Sequence, residues 1–232
     1  MARRFDIAGA ILAIAMLAAC AGSPPQRLYT LGNPSPAPMS PAVRASAAPA
    51  LLTVPFSGVV RLTSVTIPEM IDRPQLVLRA GANQVVVLDN ERWAESLKTG
   101  VARVLAADLS AQLGGATVLG RSDRSSRDAA SIVSVTIDIS RLDASLQDGV
   151  RLDASWSVRV AAVDGAGAPA GNAAGVASTG AVQVHEPAAG PGIAAAVAAH
   201  DRALAQVGAA VASDVRRAIV GGRKDAAGLS VR

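Results

Sequence analysis

The clearest regularity in the chain lies at residues 150 to 160. Val150, Leu152, Ala154, Trp156, Val158 and Val160 alternate with Arg151, Asp153, Ser155, Ser157 and Arg159. A side-chain period of two places the first set on one face and the second on the other. That predicts a half-buried strand of an antiparallel sheet over 150–162. An apolar run at 132–140 predicts the strand before it, and Asp148-Gly149 between the two predicts a hairpin turn. Shorter runs at 59–65, 75–79, 84–88, 116–119 and 176–186 read as further strands. Two segments change period. Leu97, Val101, Val104, Leu105, Leu109 and Leu113 share one helical face, and Gly114-Gly115 ends that helix. Pro191-Gly192 precedes a second stripe of Ile193, Val197, Leu204, Val207, Val211, Val215 and Ile219. The order is three strands, helix, four strands, helix. The expected fold is therefore α+β, a two-layer domain over 58–220. Its mixed, largely antiparallel sheet carries two amphipathic helices packed on one face.

The ends of the chain follow other patterns. Arg3 and Arg4 precede an apolar run from Ile7 to Leu17, and small residues lead to Cys20, the only cysteine. This is the layout of a secretory signal over 1–19, and the run is shorter than the roughly 20 residues of a spanning helix. The Leu17-Ala18-Ala19-Cys20 junction resembles the lipobox of bacterial lipoproteins. That resemblance implies cleavage before Cys20 and acylation of its thiol and new amine, so the covalent lipid takes the place of any cofactor. Several acyl chains on one residue anchor far more firmly than one. By the general behaviour of such lipoproteins, Ala21 in place of an aspartate implies the periplasm-facing leaflet of the outer membrane. Residues 24 to 55 contain eight of the 13 prolines, so 20–57 reads as an extended tether. A short strand at 28–31 within it would pin the tether to the domain edge. Residues 221–232 open on paired glycines and read as a flexible tail.

Composition narrows the chemistry. The five aromatic residues leave the core to Val, Leu, Ile and Ala. A formal charge of +4 with no run of five like charges argues against a nucleic-acid arm. One cysteine permits no intramolecular disulfide. Catalytic signatures are missing: His185 and His200 stand outside any base motif, and no G-x-S-x-G elbow occurs. Two histidines and a lipidated cysteine are too few for a metal site. The segment GAGAPAG at 165–171 has neither the spacing nor the flanks of a nucleotide-binding loop, and it reads as the loop of a hairpin. The chain reads as non-enzymatic.

Three blocks carry a family resemblance. Asp72, Arg73, Pro74 and Gln75 form the first, Gly81 and Asn83 the second, and Arg92, Trp93, Ala94, Glu95 and Leu97 the third. Together with YTLG at 29–32 and GVRLDASWSV at 149–158, they resemble the ABC-type transport auxiliary lipoprotein family from about Tyr29 to Ile219. Ser96 stands where that family has proline, a mild change because serine suits a helix start. The resemblance implies an accessory component of an intermembrane lipid-transport system. Its implied partners are a periplasm-bridging MCE-domain protein and the associated ABC permease and ATPase, and homo-oligomerisation is left open. The alternative is a stand-alone envelope lipoprotein with a structural or assembly role. The motif residues themselves read as structural: Trp93 closing the end of the core, Arg92 paired with a carboxylate, Asp72 and Pro74 making a turn, and Trp156 in the core.

Overall fold

The long alternating strand and its predecessor build the centre of the protein. The structure is a computed structural model that describes residues 25–32, 59–114, 116–120, 131–162 and 176–229. The signal segment 1–19, Cys20, tether residues 33–57 and the 165–171 segment lie outside the described residues. In chain order the strands are β1 (Arg27–Tyr29), β2 (Val59–Thr66), β3 (Gln75–Arg79), β4 (Val85–Trp93), β5 (Thr117–Leu119), β6 (Ser131–Ser145), β7 (Gly149–Ala162) and β8 (Val176–Glu186). Helix α1 (Leu97–Gln112) follows β4, and helix α2 (Ile193–Leu229) follows β8.

The strands divide into two sheets. One has the order β1-β4-β3 and the other β5-β2-β6-β7-β8. In the larger sheet β2 runs parallel to both β5 and β6, whereas β6, β7 and β8 are antiparallel. The mixed character and the antiparallel centre agree with the sequence pattern. Helix α1 lies over β2 and β5 and α2 over β7 and β8, so both cover the same face and pack on each other. Val150, Leu152, Ala154, Trp156 and Val158 are all buried beneath them. The α+β expectation holds.

Three boundaries differ from the sequence pattern, each for a physical reason. Strand β6 continues to Ser145 instead of ending at 140. A bulge between Ile139 and Arg141 inserts one residue. It shifts the inward set from the odd positions Val133, Val135, Ile137 and Ile139 to the even positions Leu142 and Ala144. Strand β4 continues past Leu88 because its far end is paired again: Glu91 and Arg92 with β1, and Arg92 also with Gln75 of β3, while the β3–β4 register shifts across Asp89 to Glu91. Helix α2 runs through Gly221-Gly222 to Leu229, so the paired glycines do not end it. Each glycine costs roughly 1 kcal/mol against alanine, which the helix tolerates.

At the β6–β7 turn, Gly149 has φ +84. A Cβ there would lie 2.2 Å from the Glu186 carbonyl oxygen, so this position excludes any side chain. Helix α1 begins after Ser96, which accepts the Gly100 N–H through its carbonyl and makes no side-chain cap. It ends at Gly114, φ +72, as the paired glycines predict.

Candidate functional site

Three of the five motif blocks converge on one place, where the N-terminal segment docks. Strand β1 lies parallel to β4 with Arg27 opposite Glu91, Leu28 opposite Arg92 and Tyr29 opposite Trp93. The Ala94 N–H donates to the Tyr29 carbonyl at 2.8 Å, and the Trp93 N–H donates to the Pro74 carbonyl at 2.8 Å. Gln75 stands opposite Arg92 across β3 and β4. One short stretch of backbone therefore joins the YTLG, DRPQ and RWAE blocks.

The segment is then locked from above. Leu31 is buried, and the Gly32 N–H donates to the Asp201 carboxylate at 2.7 Å. Gly32 has φ +74, and a Cβ there would meet Val104 Cγ2 at 2.7 Å. Glycine is required on both counts. Arg103 of α1 bridges two blocks, donating to Glu95 at 2.6 Å and to the Leu31 carbonyl at 2.9 Å. Burial raises the pKa of the Tyr29 phenol, and its hydrogen bond and proximity to Glu91 add to the effect.

The residues singled out from sequence fall into three groups. Trp93 is buried and closes the core as expected, its ring edge-on to His200 with centroids 5.7 Å apart. Gln75, Trp93 and Glu95 belong to the docking site through the contacts above, and Pro74 joins it through its carbonyl. Asp72 and Arg73 are exposed and complete a turn after the short 3-10 helix Glu69–Ile71. That turn is closed by main-chain bonds from Asp72 N to Glu69 O and from Arg73 N to Ile71 O. Arg92 is a correction: it donates to the Asp89 carbonyl at 3.3 Å and forms no ion pair among the described residues. Adjacent strand residues point to opposite faces, and the neighbouring carboxylate of Glu91 is taken by Arg27 at 3.2 Å. Cys20, the predicted lipid attachment point, lies outside the described residues.

Sequence reasoning missed a set of buried polar groups beneath the helices. His200 is 4% exposed, and its Nδ1–H donates to the Ala196 carbonyl at 2.8 Å. Burial pulls its pKa below the ordinary value, opposed by that bond. Asp201 is held above the usual carboxylate range by burial, against the pull of the Gly32 N–H, Arg103 and Arg202. Asp108, where α1 passes Gly208, is raised by burial and then by the charge of Asp201, and its Oδ2 is buried without a hydrogen-bond partner. A Cβ at Gly208 would stand 2.9 Å from Asp108 Cβ, so the helices cross closely there. Farther along α2, buried Asp214 accepts the Trp156 indole N–H at 3.0 Å. Gly180 makes that contact fit, because a Cβ on it would lie 2.5 Å from the indole and 2.6 Å from the Asp214 carboxylate. Arg217 caps the other Asp214 oxygen. The signal was available: His200 and Asp214 fall at helical spacing within the apolar stripe of α2, where a charge demands a buried partner.

This geometry positions a chain segment. No helix of the described residues is long and apolar enough to cross a membrane. The family model of the ABC-type transport auxiliary lipoprotein component matches residues 29–212. The chain belongs to this family. The matched range begins at Tyr29, the residue that β1 pairs with Trp93. As a member, the lipoprotein is a component associated with an ABC-type transporter and is held at a membrane of the cell envelope. Two solved structures share the fold. The crystal structure of an uncharacterized protein matches with TM-score 0.59 at 15% identity, over 83% of this chain and 99% of its own. A Xanthomonas campestris protein of the DUF330 family matches with TM-score 0.50 at 17% identity, over 86% of this chain and 96% of its own. No curated protein sequence matches.

Proposed function

We propose that this lipoprotein is a non-enzymatic accessory subunit of an intermembrane lipid-transport system. In this reading it is acylated at Cys20, anchored in the outer membrane facing the periplasm, and docked on an MCE-domain protein served by an ABC permease and ATPase. The observation that carries the reading is the docking site of residues 27–32. Three of the family blocks join the segment that leads to Cys20 to the core, with Arg103, Glu95, Gly32 and Asp201 as the fastening. A protein built to transmit position between a membrane anchor and a partner needs that joint to be stiff. Main-chain bonds between the strands, the buried Leu31 side chain and the charge-assisted bonds of Arg103 and Asp201 together supply the stiffness.

The helix faces are committed to the core, which leaves the sheet edges and turns for the partner. The test combines Cys20→Ser with co-purification of the cognate MCE-domain protein. The acyl mass on the N-terminal peptide should disappear in the variant, and the wild type should retain the partner through membrane extraction. Labelled palmitate incorporated into Cys20→Ser would refute the anchor. Failure of the wild type to co-purify with the MCE protein would refute the accessory role.

A further inference from the structure

One end of the domain carries the turns at 80–84, 146–148 and 187–192, and its surface is unlike the rest. No charged residue occurs from Ala80 to Leu88, and positions 80–87 are all exposed. Val85, Val86 and Val87 are 37%, 41% and 36% exposed, so consecutive side chains on both faces of β4 meet solvent. Exposed hairpins in water ordinarily carry charge, which prevents edge-to-edge pairing. The adjoining turn, Pro187 to Gly192, is also free of charge, and Leu146 in the third is 45% exposed. These turns lie together. Gly149 abuts the backbone of Glu186 and Pro187. A cleft of about 510 Å³ is lined by Gly81 and Ala82 from one hairpin and by Gln147 and Asp148 from the other. The arginines around the cleft are matched by aspartates, Arg79 with Asp143 at 2.8 Å and Arg151 with Asp148 at 2.7 Å, so it offers no free cation to an anion.

The tether gives this end its direction. Because β1 runs parallel to β4 with Arg27 opposite Glu91, the chain upstream of Arg27 leaves toward the start of β4, at Val85. The seven residues 20–26 reach at most about 23–25 Å. The stretch of β4 from Glu91 back to Val85 covers about 20 Å. A fully extended tether is therefore long enough to bring the anchor level with the valines. We infer that the 80–88 hairpin tip seats in the headgroup–acyl boundary of the bilayer that holds the anchor. This inference rests on acylation of Cys20. The occupant is the lipid surface itself. The tip carries no charged residue of its own, and the Arg79 guanidinium that donates to the Ala82 carbonyl is already paired with Asp143, so three adjacent valines can bury apolar area there, and interfacial binding grows with that area. The contact gives the anchored domain a fixed orientation, with the far ends of α1 and α2 pointing away from the membrane.

The test uses the full-length, acylated protein with Val86→Cys, labelled with an environment-sensitive fluorophore and reconstituted into phosphatidylethanolamine/phosphatidylglycerol vesicles. Gln112→Cys, exposed at the opposite end of α1 beside Arg216, is the comparison. Mass spectrometry of the N-terminal peptide establishes the acyl groups first. The expected result is blue-shifted emission at position 86 that doxyl-labelled lipid quenches, with water-like, unquenched emission at 112. Water-like emission at 86 on protein that carries the acyl mass overturns this inference alone. Shielding at 86 that persists without lipid and coincides with 86-to-86 cross-links also overturns it, because the surface then belongs to a second copy. Absence of the acyl mass removes the anchor and this inference with it.

Discussion

Replacing Trp156 by phenylalanine isolates the buried bond between the sheet and α2. The indole is 6% exposed, and its N–H donates to Asp214 Oδ2 at 3.0 Å. The Asp214 side chain is 5% exposed, so water cannot take over the lost donor. A hydrogen bond to a charged group contributes about 1.5–3 kcal/mol when its partner is left unsatisfied. The smaller ring adds a void that costs roughly 1 kcal/mol. The expected loss is about 2.5–4 kcal/mol, a large part of the roughly 5–15 kcal/mol that holds a domain folded. In a domain of this size that lowers the melting temperature by roughly 5–15 °C. Urea titration followed by far-ultraviolet circular dichroism measures it, because the indole signal itself changes. The decisive control is the cycle with Asp214→Leu. Each single variant strands one buried group, whereas the double variant strands neither. The double variant should therefore be about 1.5 kcal/mol more stable than the sum of the singles predicts. Arg217 confuses the cycle little, since its side chain is 72% exposed and loses only a surface pairing. A single-variant loss below about 1 kcal/mol, or a cycle additive to within ~0.5 kcal/mol, would refute the buried-bond reasoning.

Two further outcomes follow from the same physics. Asp108 has its pKa raised in the fold, so its charge costs stability above the folded value and the cost is relieved as pH falls toward the ordinary 3.8. Asp108→Asn should thus stabilise the protein at neutral pH and lose that advantage on acidification. Paired urea titrations across that range check it, and a variant less stable than wild type at neutral pH would count against it; His200, whose lowered pKa acts in the opposite sense below 6.5, is common to both proteins and cancels. Gly149→Ala should cost about 2–4 kcal/mol by forcing a left-handed backbone and pushing the hairpin off Glu186, and a loss under ~1 kcal/mol in the same titration would show that the turn can yield.

How much of this was legible in the chain depended on the range of the force involved. The β7 alternation and the two helical stripes are local periodicities that burial enforces residue by residue, and they were readable without a partner in view. The bulge after Ile139 was not, because one inserted residue reverses which parity points inward and makes a continuing strand look like its end. Strand β4 past Leu88 was unreadable for a different reason. Asp89 to Arg92 have no apolar pattern, and the strand's far end is fixed by pairing of Glu91 and Arg92 with β1, more than 60 residues earlier in the chain. The docking site shows the same limit. The motif blocks could be recognised and assigned a structural role, but the service each performs for the others appears only once Tyr29, Pro74 and Trp93 share backbone bonds. Arg92 illustrates the cost of reasoning from a residue alone. Its charge suggested a carboxylate partner, yet strand geometry turned the adjacent carboxylate to the opposite face, where Arg27 meets it. The family blocks therefore encode a joint whose parts are distant in sequence. Changing Arg103 or Glu95, which fasten the joint from outside the core cluster, should loosen the tether before it unfolds the domain, whereas Leu31 and Trp93 belong to the core itself.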